Sequence, residues 1–86
     1  MPEISRFFGI IIAMFSNDHP PPHFHVRHGG DHATIRIEDL ALDEGELLPT
    51  VLGLVKEWAD LHRGELLDNW NRARAQSPLT RVESLE

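Results

Sequence analysis

The chain has 86 residues, a net charge of −6 and no cysteine, so it is read as one small domain over residues 1–86 with no room for a second. Without cysteine there are no disulfides and no thiolate metal sites, and a reducing, cytoplasmic setting is expected. The negative charge argues against a nucleic-acid partner for the molecule as a whole, but it is unevenly spread. Three acids and three arginines lie before Glu38, leaving eleven of the 14 acids and five of the 8 bases from Glu38 onward.

In chain order, the opening MPEISRFFGIIIAMF has no basic region ahead of its apolar stretch. That stretch is too short to cross a bilayer, so no membrane association is expected. Residues 9–15 (GIIIAMF) form a continuous apolar run that suits a strand covered on both faces. A second copy in a homodimer, or a partner protein, would cover the face that one packed layer leaves open. Ser16-Asn17-Asp18 begins a turn, and Pro20-Pro21-Pro22 hold the following residues extended. Residues 23–28 and 32–37 read as the strands of a hairpin around Gly29-Gly30. Leu40-Ala41-Leu42 reads as a short fourth strand, and residues 43–46 as an acidic loop around Gly45.

Pro49 suits the first turn of a helix over residues 49–76. Val51, Val55, Trp58, His62, Leu66, Asn69 and Ala73 form one stripe, flanked by Leu48, Leu52, Ala59, Leu67 and Trp70. The stripe passes Arg63-Gly64-Glu65 without a phase change, which predicts one long helix with any kink at Gly64. Ser77-Pro78 ends it, and residues 78–86 form a tail, either an edge strand or disordered. The expected fold class is α+β: a β-rich half over residues 1–46, a three- to four-stranded antiparallel meander, packed by one long C-terminal helix.

The hairpin carries the functional signal. If its turn sets the register, His23 faces Arg36, Phe24 Ile35, His25 Thr34, Val26 Ala33, Arg27 His32 and His28 Asp31. Because side chains alternate between faces, Phe24, Val26, Ala33, Ile35 and Ile37 share one side. His23, His25, Arg27, His32, Thr34 and Arg36 share the other. Five of the chain's 6 histidines fall between positions 19 and 32. A solvated sheet face needs polar groups, but it does not need imidazoles and guanidiniums.

The segments ISRFFGI, NDHPPPHFHV, GELLP, LVKEWADLH and ELLDNW together resemble the small bacterial domain-of-unknown-function family 4160. Its members share a DHxPPHFH core and a helix with EWxxxH and ELxxNW. The matching positions are Asp18, His19, Pro21, Pro22, His23, Phe24, His25, Trp58, His62, Glu65, Asn69 and Trp70. The resemblance implies a two-protein module of toxin–antitoxin type, the partner being the product of a neighbouring gene (family 2442). It supplies no catalytic residues.

Three chemistries fit the outer face. The first is binding of a partner protein or RNA, with Asp18, His19, His32, Arg36, Trp58, Glu65 and Asn69 contributing. The second is metal-independent RNA cleavage, with His23 and His25 as acid and base and Arg27 stabilising the developing charge. Trp58, His62, Glu65 and Asn69 share a helix face. His62 there is either a further base or orienter, or part of a network that specifies helix–sheet register. The third is zinc on His23 and His25, closed by His19, His32 or Asp18. Two arginines on the same face oppose a divalent cation unless an anionic substrate balances them, so no metal ligand and no cofactor is assigned.

Overall fold

A strand ahead of the apolar run is the first departure from expectation. In the computed structural model, which describes residues 2–85, β1 (Glu3–Phe7) and β2 (Ile10–Ala13) form a hairpin closed by the pair Phe7 and Ile10. Both turn residues have positive φ, 50° at Phe8 and 75° at Gly9. This is what a two-residue loop matched to strand twist requires. Gly9 adopts that conformation freely, whereas Phe8 does so at a steric cost of about 1–2 kcal/mol. A phenylalanine at a left-handed position is no turn signal, which is why this hairpin is invisible in the sequence. Met1 and Glu86, the outermost positions of the expected domain and tail, lie outside the described residues.

Strands β3 (His23–His28), β4 (Asp31–Arg36) and β5 (Leu42–Gly45) continue an antiparallel meander in the order β1-β2-β3-β4-β5. The sheet therefore has five strands rather than three or four. The β3–β4 register matches the expected one at every pair, from His23 and Arg36 to His28 and Asp31. The last strand is displaced from residues 40–42. Leu40 takes a left-handed conformation (φ 57°) in the preceding turn, and the acidic segment pairs instead, Glu44 opposite Thr34 and Gly45 opposite Ala33. Its exposed carboxylates sit on a sheet edge, where charge discourages further strand pairing.

The helical half divides into α1 (Pro49–Leu61) and α2 (Arg63–Arg74). The break falls at His62 (φ −126°, ψ 25°), not at Gly64. The Arg63 guanidinium donates to the backbone carbonyls of Ile37 at 3.1 Å and Glu38 at 2.6 Å, tying the joint to the end of β4. The buried positions keep their spacing across the break: Val51, Val55, Trp58 and Ala59, then Leu66, Asn69, Trp70 and Ala73. Periodicity alone therefore reads one helix. At the far end Gln76 is left-handed (φ 58°), with Ser77 N–H bonded to Arg72 C=O and Gln76 N–H to Ala73 C=O. These two hydrogen bonds close the last turn before Pro78.

Both helices cover one face of the sheet. Trp58 is fully buried there, its ring 5.4 Å from Phe7 and 6.0 Å from Phe24. The tail is not a strand, and it is tied down over residues 80–83. Val82 is buried and donates its N–H to Ile4 C=O at 2.8 Å. Asn69 exchanges two 2.8 Å bonds with the Thr80 backbone, and Trp58 Nε1–H donates to Glu83 C=O. No helix among the described residues is long and apolar enough to cross a membrane.

Candidate metal centre

The turn after β2 brings a carboxylate to the hairpin. Asp18 N–H bonds Phe15 C=O at 3.3 Å, and the chain then passes through Pro20-Pro21, joined by a cis peptide, into β3. Asp18 lies beside the first residues of that strand. His23 and His25, two apart, point to the same side of the sheet. Asp18 Oδ2 lies 2.9 Å from His25 Nε2 and 3.5 Å from His23 Nε2. The three donor atoms all fall within 4.8 Å of one another. Each side chain is mostly buried, between 15% and 19% exposed.

The remaining ring nitrogens are also held. His23 Nδ1 is 2.8 Å from the Pro21 carbonyl, and His25 Nδ1 is 3.2 Å from His32 Nε2. A carbonyl oxygen only accepts, so His23 Nδ1 carries the hydrogen. In the neutral ring the Nε2 lone pair then faces Asp18. If His25 donates from Nδ1 to His32, its Nε2 lone pair faces the same carboxylate. Lone pairs converging on an anion need a cation between them, either protons or a metal. Metal-bound histidines typically donate their other ring N–H to a carbonyl or a polar side chain, as both rings can here. Ligand atoms around tetrahedral zinc stand about 3.3–3.5 Å apart; the His23 contact of 3.5 Å has that spacing, and the His25 contact of 2.9 Å is a hydrogen-bond distance that would lengthen around an ion. Two imidazoles and one carboxylate suit a divalent first-row ion and leave coordination positions open.

Aromatic rings fix the imidazoles from behind. Phe15 meets His25 edge-on at 4.6 Å, and Trp70 of α2 lies 5.2 Å from His23. Arg74, one turn further on, stands over the Trp70 ring at 5.8 Å and reaches the Asp18 carbonyl at 3.4 Å. Phe15, Trp70 and Arg74 were not among the sequence-derived candidates. Only Trp70 carried a signal, through the NW dipeptide.

The other expected residues divide by location. Arg27 and His32 are exposed on the outer face as predicted. Arg36 is turned onto Asp39 at 3.0 Å and Asp43 at 3.8 Å, so it is engaged away from the cluster. Asp39 is held below the ordinary carboxylate range, chiefly by the Ala41 backbone N–H and then by the Arg36 guanidinium, and Arg36 is correspondingly raised. His19 is exposed and outside the cluster, whereas Asp18 has a donor atom within 4.8 Å of those of His23 and His25. His62 bonds Glu65 at 2.6 Å and packs on Trp58, which belongs to the core side of the sheet. His62 is therefore not part of the cluster formed by Asp18, His23 and His25. Trp58 and Asn69 hold the tail.

Charge pairing around the cluster is selective. Arg6 and Arg81 pair with Glu3, Arg36 with Asp39, Arg63 with Asp60 and Arg72 with Asp68. Among the described residues, the two arginines without a carboxylate partner are Arg27 and Arg74, and both flank the histidine pair.

The family described as Domain of unknown function (DUF4160) matches residues 9–71, a span that includes all three donors. Comparison with curated proteins and with solved structures returns no match.

Proposed function

We propose that this chain, which belongs to the DUF4160 family, binds a divalent transition-metal ion through Asp18, His23 and His25 and presents it on the open face of the sheet. The observation that carries this reading is the convergence of three donor atoms within 4.8 Å, on rings whose other nitrogens are already bonded. A bound ion with open positions acts as a Lewis acid, polarising whatever oxygen ligand completes its shell. Asp18 supplies the negative charge, His23 and His25 supply neutral nitrogens, and the Pro21 carbonyl and His32 orient the rings. Calorimetric titration with zinc, combined with elemental analysis, tests the reading. One ion per chain is expected, with binding abolished in Asp18→Asn and in the His23→Ala/His25→Ala double variant while circular dichroism stays native. A wild-type chain that takes up no metal, or variants that bind as well as wild type, would overturn it.

A second reading is docking of a partner protein, as in a two-protein toxin–antitoxin-type module. Ile11 and Phe15 support it, being only partly covered beside Arg27 and His32 on the outer face. Co-purification with the product of the neighbouring gene is expected to be lost in Ile11→Asp; retention in that variant would count against this face.

A further inference from the structure

Resting on the metal reading, we infer that the ligand completing the ion's shell is a small phosphate monoester, its charge matched by Arg27 and Arg74. The chain has 14 acidic residues for 8 basic ones, so an arginine left without a carboxylate is the exception. Both such arginines border one cluster. Arg27 lies two residues beyond His25 on the same strand and face, about 7 Å along it. Arg74 is held at the opposite side, against Trp70 and the Asp18 carbonyl. Unneutralised guanidiniums beside a divalent cation are mutually repulsive unless an anion lies among them.

Geometry selects the kind of anion. Guanidinium groups and a metal together offer more donors than the two oxygens of a carboxylate can use. A terminal phosphate presents three oxygens in tetrahedral directions, one for the metal and others for arginine N–H groups. The donor side chains are mostly covered, but the Arg27 and His32 side of the site is exposed, so the rest of the ligand can extend away from the protein there. A long polyanion is disfavoured because eleven acids lie beyond Ile37 against five bases, and its flanking phosphates would meet that charge.

The test uses the full chain loaded with cobalt(II), whose paramagnetism broadens the phosphorus resonance of any phosphate on the metal. Inorganic phosphate and adenosine monophosphate are titrated separately, with acetate and a ten-nucleotide single-stranded RNA as competitors. Broadening by both phosphates is expected. Arg27→Ala and Arg74→Ala should each weaken phosphate binding about 10–15-fold, the low end for a charge-assisted hydrogen bond, with cobalt stoichiometry unchanged. Cobalt binding without phosphate binding, acetate competing as well as phosphate, or unaltered affinity in both arginine variants would overturn the inference and leave the metal centre standing. Tighter binding of the RNA than of the mononucleotide would overturn the choice of a small ligand. Failure to bind cobalt would remove the metal centre and this inference together.

Discussion

His23 Nδ1 lies 2.8 Å from the carbonyl oxygen of Pro21, two residues earlier in the chain. This local bond decides which edge of the imidazole faces Asp18, and so converts a proline turn into a device for aiming a nitrogen. His25 has no such local partner and relies on His32, its diagonal neighbour on β4. The two rings are thus oriented by different means, one by the turn and one by strand register.

That difference makes His32 separable from the ligands themselves. His32→Ala should lower zinc affinity about 10–100-fold, the range for loss of an orienting partner, whereas Asp18→Asn should abolish binding. Competition against a chromogenic chelator measures both. Equal affinity for wild type and His32→Ala would remove His32 from the centre.

Asn69 is 1% exposed, and both ends of its amide are bonded to the Thr80 backbone. Asn69→Ala removes both hydrogen bonds to the backbone of Thr80, an exposed residue whose freed N–H and C=O can reach water, costing about 1–2 kcal/mol. The tail should loosen first. Hydrogen exchange at Val82 should accelerate more than at Phe24 or Val26, and uniform acceleration would refute a local clamp.

Gly45 closes the β4–β5 ladder at φ 82°, where a Cβ would collide with the His32 carbonyl and stand 2.8 Å from Ala33 Cα. Backbone cannot yield as a flexible side chain can, so Gly45→Ala should cost at least about 2 kcal/mol. It should also displace His32, coupling the edge strand to the proposed metal centre. Urea denaturation and zinc titration on the same variant check both effects. Unchanged stability would show that β5 is free to move.

Two carboxylates, half-buried Glu3 and exposed Asp39, give an acid-side signature. Glu3 is lowered chiefly by the Arg6 hydrogen bond, and Asp39 chiefly by the Ala41 N–H and then Arg36. Their folded values lie below the unfolded ones. The stability they supply is therefore complete above the ordinary carboxylate range and is lost as pH falls through it toward the lower folded values. The Glu3→Gln/Asp39→Asn variant should show a shallower decline in stability between about pH 5 and pH 2, measured by thermal melts across that range. An identical slope would assign the acid limb to other groups.

Much of this architecture follows from local rules that act within a few residues. Gly29-Gly30 dictates a two-residue turn, alternation then assigns each side chain a face, and the β3–β4 pairing follows from those two facts. Helical spacing from Val51 to Ala73 likewise identifies the buried stripe. What local rules could not supply are contacts made by distant segments. Strand β1 depends on Phe8 accepting a left-handed backbone because its neighbours are paired. The helix break at His62 depends on carbonyls 25 and 26 residues away that capture Arg63. The choice of Asp18 over His19 depends on the path of the proline turn, and Arg74 arrives 56 residues later in the chain. Spacing encodes which way a side chain points relative to its own backbone. Which other side chains it meets is decided only when separate elements pack, because burial of the shared apolar face sets their relative position.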